Sequence, residues 1–136
     1  MCKSEKIKFL DNVAKLFLKY CPQMSDDVRY WVACQFALES NFGLSRLVKT
    51  KLNYCGMKMP LSRPTLNICV SGDFAKFESL ECCVIDYVYW LSWNHFNFVD
   101  LFHLNNYTRR IIASKYCPET DYVDRVYALY NSFINP

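Results

Sequence analysis

Hydrophobic residues recur along most of this chain at intervals of three and four positions, the period of a helix packed on one face. The pattern predicts helices over residues 4–20, 26–40, 44–50, 79–93, 106–115 and 119–133. Ser25 is the expected N-cap of the second of these, because its hydroxyl can accept hydrogen bonds from the first turn. The helix over 79–93 is the most apolar, so we expect it to be central and the most buried.

Residues 52–77 break this period. They hold two of the chain's three glycines, two prolines and several β-prone residues, which is typical of a loop with a small β-hairpin or an irregular lobe. The expected fold class is therefore mainly α (α+β). We expect one domain over residues 1–136, with a small lobe at about 52–77.

Composition narrows the possible partners. The chain has 136 residues, 52% of them hydrophobic, which is enough to form one folded core. The net charge is +3 with no run of basic residues, so no nucleic-acid partner is expected. No segment approaches the roughly 18–20 apolar residues of a membrane span. Acidic residues interrupt the N-terminal apolar pattern, which predicts cytoplasmic synthesis without a signal peptide, and a monomer is expected.

The eight cysteines show no metal-binding pattern. There is no C-x-x-C, and His95 and His103 are the only histidines, so neither a metal site nor a cofactor is expected. Cys34, Cys82 and Cys83 lie in predicted helices, where a free thiol behaves as a small hydrophobe.

Glu39 ends the apolar stripe of the second helix. A helix C-terminus and partial burial both disfavour a carboxylate, so both raise its pKa. A carboxyl group that stays protonated near neutral pH can act as general acid at a glycosidic oxygen. The residues alone leave open the alternative of a solvated glutamate at a helix end.

Four segments, "ESNFGLS", "NYCGMK", "FAKFESLECCVIDY" and "YCPETDY", follow in order within residues 30–130. Together they resemble the glucosaminidase domain of glycoside hydrolase family 73, found in flagellar and autolytic peptidoglycan hydrolases. The matching positions in the first, second and fourth segments are Glu39, Ser40, Phe42, Gly43, Ser45, Asn53, Gly56, Met57, Lys58, Tyr116 and Tyr122.

The resemblance implies a lysozyme-like fold with a cleft between a helical lobe and a small β-lobe. It implies cleavage of the β-1,4 bond between N-acetylglucosamine and N-acetylmuramic acid in the glycan strands of peptidoglycan. Glu39 would be the general acid, and Tyr116 would line the reaction centre. The expected substrate-binding residues are Ser40, Phe42, Asn53, Tyr54, Gly56, Met57, Lys58, Arg63 and Tyr122.

Some of these assignments have alternatives. Phe42 and Tyr54 are expected to stack on a sugar, while Lys58 and Arg63 would contact stem-peptide carboxylates or remain solvated charges. Tyr122 would line the site or serve in packing. The tryptophans of the most apolar predicted helix, Trp90 and Trp93, are expected in the core rather than as sugar platforms.

The second catalytic carboxylate is less clear. Glycosidases that use two carboxylates need a base or nucleophile beside the acid, and Asp73 is the candidate in the small lobe. Asp73 also fits a simple turn residue in "SGDF". The acetamido group of the substrate could replace a base, or the enzyme could resemble a lytic transglycosylase, which needs only one acid.

Two other function classes stay open. A cysteine peptidase or amidase acting on stem peptides would pair Cys82 or Cys83 with His95 or His103. A non-catalytic wall-binding or virion component would keep the fold without the chemistry. The absence of a signal peptide favours a phage lysin or virion-associated enzyme that acts on the cell wall.

Overall fold

Seven α-helices make up most of residues 1–135, the part of the chain that the computed structural model describes. The mainly α fold class is confirmed. The five-residue α5 is the one helix that the hydrophobic pattern does not predict. The helices are α1 Lys3–Tyr20, α2 Asp26–Ser40, α3 Arg46–Lys51, α4 Leu80–Trp93, α5 Phe98–Phe102, α6 Leu104–Ala113 and α7 Tyr122–Phe133.

The centre of the molecule is α2, which packs against α1, α6 and α7. Nine of its residues are buried, against five in α4, so the prediction that α4 is the most buried helix is wrong. The outer face of α4 carries exposed aromatic side chains as well as polar ones. Trp93 is 51% exposed, which also corrects its expected place in the core, whereas Trp90 packs against the core. Within residues 1–135, no helix has the length and hydropathy to cross a membrane.

Both ends of α2 are fixed by serine side chains. The Ser25 hydroxyl accepts a hydrogen bond from the Val28 N–H at 3.3 Å, which confirms the predicted N-cap. At the other end, the Ser40 hydroxyl donates to the Phe36 carbonyl at 2.6 Å and accepts from the Gly43 N–H at 2.9 Å. These bonds close the turn that ends α2 and so determine where its last turn lies.

The turn after α2 holds three consecutive residues in the left-handed region. Asn41, Phe42 and Gly43 have φ values of 48°, 56° and 83°. Only glycine adopts this conformation freely, and a bulky residue such as Phe42 pays about 1–2 kcal/mol for it. Burial of the Phe42 ring against Phe9 and Phe133 compensates, since the ring is 7% exposed.

The small lobe contains almost no regular β-structure. One antiparallel bridge joins Lys58 to Phe74, flanked by hydrogen bonds from the Met59 N–H to the Asp73 carbonyl at 2.8 Å and from the Ala75 N–H to the Met57 carbonyl at 3.0 Å. The expected hairpin is thus reduced to a single bridge, and the alternative of an irregular lobe is the better description.

Asp86 of α4 anchors this lobe from the core. Its fully buried carboxylate forms an ion pair with Arg63 at 2.7 Å. It also accepts hydrogen bonds from the Thr65 hydroxyl at 2.6 Å and the Leu66 N–H at 2.8 Å. A buried carboxylate is tolerated only with such partners, so residues 63–66 of the lobe are held to α4 at this point.

Candidate active site

Glu39 lies in the last turn of α2, half-buried, with its carboxylate against the backbone of the small lobe. The closest approach is to Gly56, where an added Cβ would lie 2.5 Å from Glu39 Oε2. Gly56 also has a φ of +68°, a value that side-chain-bearing residues rarely adopt. Glycine is therefore required at this position, and the two lobes meet at the Glu39 carboxylate.

The surroundings of Glu39 favour the protonated acid. Burial raises its pKa above the ordinary value, because an apolar environment disfavours the charged form. The Tyr122 hydroxyl and the Arg125 guanidinium partly offset this rise, and the negative charge of Glu119 adds to it. The position at the C-terminal end of α2 acts in the same direction as burial. Glu39 therefore has the properties of a proton donor.

Polar groups packed beside Glu39 keep unused donors. Tyr122 is 3% exposed, and burial holds its pKa far above the ordinary range, so its hydroxyl keeps its proton. This hydroxyl and the Gln35 amide nitrogen complete no hydrogen bond with any residue in the range 1–135. The Gln35 carbonyl oxygen, by contrast, accepts from Tyr87 at 2.9 Å, and Tyr87 is bonded to Tyr107 at 2.6 Å. The core thus fixes the carbonyl side of Gln35, while its amide nitrogen keeps a donor within the described part of the chain.

A cleft of about 490 Å³ opens between the small lobe and the segment after α6. This is the arrangement expected of the fold. Glu39 is not itself a lining residue, but its carboxylate lies against Gly56, which is part of the wall. The lining residues are Gly56, Met57, Lys58, Pro60, Arg63, Trp90, Ser114, Lys115, Tyr116 and Pro118.

The loop that carries Gly56 is fixed from two sides. The buried Asn53 side chain donates to the carbonyls of Met57 and Ala75 at 2.8 and 2.9 Å and accepts from the Met57 N–H at 3.2 Å. Tyr116 donates its hydroxyl to the Cys55 carbonyl at 2.5 Å. Asn53 therefore shapes the loop from within, and Tyr116 holds it while lining the cleft.

The other predicted site residues are divided between the core and the cleft. Ser40 and Phe42 are used in the turn after α2, and Tyr54 stacks on Phe9 with ring centroids 6.3 Å apart. The Arg63 guanidinium lines the cleft but is paired with Asp86. The predicted residues that line the cleft without such a buried ion pair are Gly56, Met57, Lys58 and Tyr116. Substrate contacts by any of these residues stay predictions.

Asp73 lies on the exposed tip of the small lobe, and its charge is not among those that shift the pKa of Glu39. The charged side chains beside Glu39 are Glu119 and Arg125, which form an ion pair with each other. Sequence reasoning missed both. The sequence did contain a hint of them, because Glu119 lies three residues before Tyr122 and Arg125 three residues after it. The second of these spacings places Arg125 and Tyr122 on one face of α7. The catalytic role of Asp73 stays a prediction.

Replacing Gly56 by Ala is expected to reduce activity by about 10²-fold, because the new Cβ displaces the Glu39 carboxylate and small misplacements of a catalytic group have effects of this size. Initial rates of glycan hydrolysis measure the effect. Gly72→Ala is the matched control, since Gly72 also has a positive φ, of +104°, but its Cβ would meet only the flexible Lys51 side chain at 3.5 Å. Equal losses in the two variants would contradict the role assigned to Gly56.

Comparisons with known proteins bear on the family and the fold. The model of the glucosaminidase family, described as mannosyl-glycoprotein endo-beta-N-acetylglucosaminidase, matches residues 28–135. Among solved structures, the catalytic domain of the autolysin Auto from Listeria monocytogenes is similar, with a TM-score of 0.65 and 20% sequence identity over 95% of this chain and 84% of that one. At this identity the likeness shows the fold alone. A search of curated protein sequences gave no significant match.

Proposed function

Because the chain belongs to the glucosaminidase family and is a glycoside hydrolase, we propose that it cleaves peptidoglycan at the β-1,4 bond between N-acetylglucosamine and N-acetylmuramic acid. The observation that carries this proposal is Glu39, a half-buried carboxyl group with a raised pKa that lies against Gly56 in the wall of the cleft. The structural neighbour is named an autolysin, which is in keeping with this choice of substrate.

Glu39 serves as the general acid. It gives its proton to the glycosidic oxygen as the bond to the anomeric carbon breaks, so N-acetylmuramic acid leaves as a neutral alcohol. Burial favours this role, because it keeps the carboxyl group protonated until the substrate is bound. The Tyr122 hydroxyl, which retains a donor beside Glu39, stabilises the carboxylate that forms after the transfer.

The substrate itself supplies the nucleophile that attacks the anomeric carbon. Glu119 is the carboxylate beside Glu39, but its ion pair with Arg125 lowers its reactivity as a nucleophile. We assign the attack on the anomeric carbon to the 2-acetamido oxygen of N-acetylglucosamine, as in other glycosidases with substrate assistance. This attack closes a ring between the acetamido group and the anomeric carbon. Water then attacks the anomeric carbon, which opens that ring and restores the acetamido group, while the Glu39 carboxylate takes up a proton from the water.

The setting of the reaction is the bacterial cell wall. We propose a phage lysin or a virion-associated enzyme as the origin of a protein that acts on glycan strands in this setting. The purified protein can be added to intact cells and to isolated cell walls. Hydrolysis of the isolated walls without lysis of the cells would show that another component must deliver the enzyme to its substrate.

Digestion of purified peptidoglycan followed by mass spectrometry of the products tests the proposed bond. Reducing-end N-acetylglucosamine is the expected result. Reducing-end N-acetylmuramic acid would identify a muramidase and anhydro-muramic acid a lytic transglycosylase, and either would overturn the bond assignment. Unchanged glycan strands would overturn the proposed function itself.

Arg125→Gln is expected to move the alkaline limb of the pH profile of kcat/KM to higher pH. The guanidinium lowers the pKa of Glu39, so its removal raises that pKa, and the now unpaired Glu119 acts in the same direction. Since Glu39 is active when protonated, activity then persists to higher pH. The shift should shrink in high salt, because the Arg125 side chain is 45% exposed.

Arg109→Gln is the control for this pH shift. It removes the same charge from an exposed position on α6 that does not influence Glu39. An alkaline limb that stays in place in Arg125→Gln, or that moves to lower pH, would contradict the assignment of Glu39 as the acid.

A further inference from the structure

A second concave surface lies on the outer face of α4. Tyr89 and Trp93 stand one helical turn apart and are 39% and 51% exposed. Together with Pro64, Ser92 and His95 they line a cavity of about 430 Å³. Exposed aromatic rings with a few polar groups around them are typical of ligand sites, and the proposed chemistry of the cleft does not use these residues.

This cavity and the catalytic cleft are lined by the same two stretches of chain. Pro64 follows Arg63, and Tyr89 precedes Trp90, and both Arg63 and Trp90 line the cleft. The Arg63 guanidinium donates to the Pro64 carbonyl at 2.9 Å and pairs with Asp86 of α4 at 2.7 Å, so Arg63 and Pro64 are held against the helix that carries the aromatic pair. A glycan strand bound in the cleft could therefore reach the aromatic pair.

The surface is held in place by the end of α4. The Asn94 side chain donates to the Trp90 carbonyl at 2.9 Å, and the Arg110 guanidinium donates to the Asn94 carbonyl. The His95 N–H bonds to the Ser92 carbonyl at 3.0 Å, which closes the last turn. A site fixed before binding loses little conformational entropy when the ligand arrives.

We propose that the cavity between Pro64, Tyr89 and Trp93 is a distal subsite that binds one sugar ring of the glycan strand, an N-acetylated pyranose, beyond the rings at the scissile bond. The proposal rests on the proposed function. The occupant is a sugar rather than a stem peptide, because flat aromatic faces suit the apolar face of a pyranose. The lining also includes no lysine or arginine for peptide carboxylates.

Binding of β-1,4-linked N-acetylglucosamine oligomers tests the subsite. Isothermal titration in a Glu39→Gln background prevents cleavage during the measurement. Adding Trp93→Ala is expected to weaken binding of the hexamer by about tenfold or more, equivalent to about 1.4 kcal/mol, and to leave binding of the dimer unchanged. Trp93→Phe keeps an aromatic ring and should retain most of the affinity. In the wild-type background, Trp93→Ala should raise KM for long glycan strands at unchanged kcat.

Phe98→Ala is the matched control, since Phe98 is 64% exposed on α5 but does not line the cavity. Unchanged hexamer affinity and unchanged KM in Trp93→Ala would overturn the subsite, while the products of the wild-type enzyme decide the proposed function separately. Weaker binding to intact peptidoglycan with unchanged hexamer affinity would assign the surface to stem peptides and also overturn the proposal. If the wild-type enzyme neither cleaves glycan nor binds the hexamer, both proposals fail.

Discussion

Replacing Glu39 by Gln is expected to reduce the rate of glycan hydrolysis by about 10²–10⁴-fold, the usual contribution of a general acid. The amide nearly preserves the size of the side chain against Gly56 but has no acidic proton to donate. Release of reducing ends from purified peptidoglycan measures the loss. Glu78→Gln is the control, because Glu78 is an exposed carboxylate just before α4. Full activity in Glu39→Gln would show that the acid lies elsewhere.

The stability of the Glu39→Gln variant distinguishes lost chemistry from a lost fold. Burial raises the pKa of Glu39 above its value of about 4.5 in the unfolded chain, so the wild-type protein loses stability as the pH rises from that value through the folded pKa. The variant has no such charge. Its Tm should match the wild type in acid and exceed it at neutral and alkaline pH, as thermal unfolding followed by circular dichroism would show. A lower Tm at neutral pH would contradict this account.

Asp86→Asn is expected to lower the free energy of unfolding by about 3–5 kcal/mol, the usual loss when one partner of a buried ion pair is removed. The substitution leaves Arg63, whose side chain is 5% exposed, as an uncompensated buried charge. It also weakens the acceptor for Thr65 and Leu66. Urea unfolding measures the loss, and activity should fall as well, because the cleft wall depends on this anchor.

Glu81→Gln provides the comparison for Asp86→Asn on the same helix. Glu81 pairs with Lys19 at 3.2 Å, but the two side chains are 43% and 65% exposed, and exposed pairs contribute little. Its effect on urea unfolding should therefore be much smaller. Similar losses of unfolding free energy in the two variants would show that the contribution of the Asp86 ion pair does not depend on its burial.

The helices could be predicted from sequence because most of them pack one apolar face on the core. α2 follows its predicted range of 26–40 and begins at the predicted cap, Ser25. α5 is only five residues long, too short to show a helical period. The degree of burial of α4 could not be predicted, since aromatic residues on its outer face contribute to hydrophobicity as much as those facing the core.

The candidate site was predictable where it depends on local sequence. The place of Glu39 at the rim of the core follows from its position at the end of an apolar stripe. Its neighbours Glu119 and Arg125 come from the far end of the chain, and only the packing of α7 on α2 brings them there. The ion pair of Arg63 could not be predicted from sequence either, because its partner Asp86 lies 23 residues away.

The exposed turns of the small lobe have a consequence for how such enzymes diversify. The lobe is held by the buried ion pair of Arg63 with Asp86 and by the hydrogen bond from Tyr116 to the Cys55 carbonyl, while Leu61 and Val70 are 95% and 94% exposed. Extra residues inserted near Leu61 and Val70 would leave these contacts in place, and the entropic cost of closing a loop rises only slowly with its length. Evolution can therefore rebuild one wall of the cleft by insertion, and so alter which glycan strands are accepted, at little risk to folding.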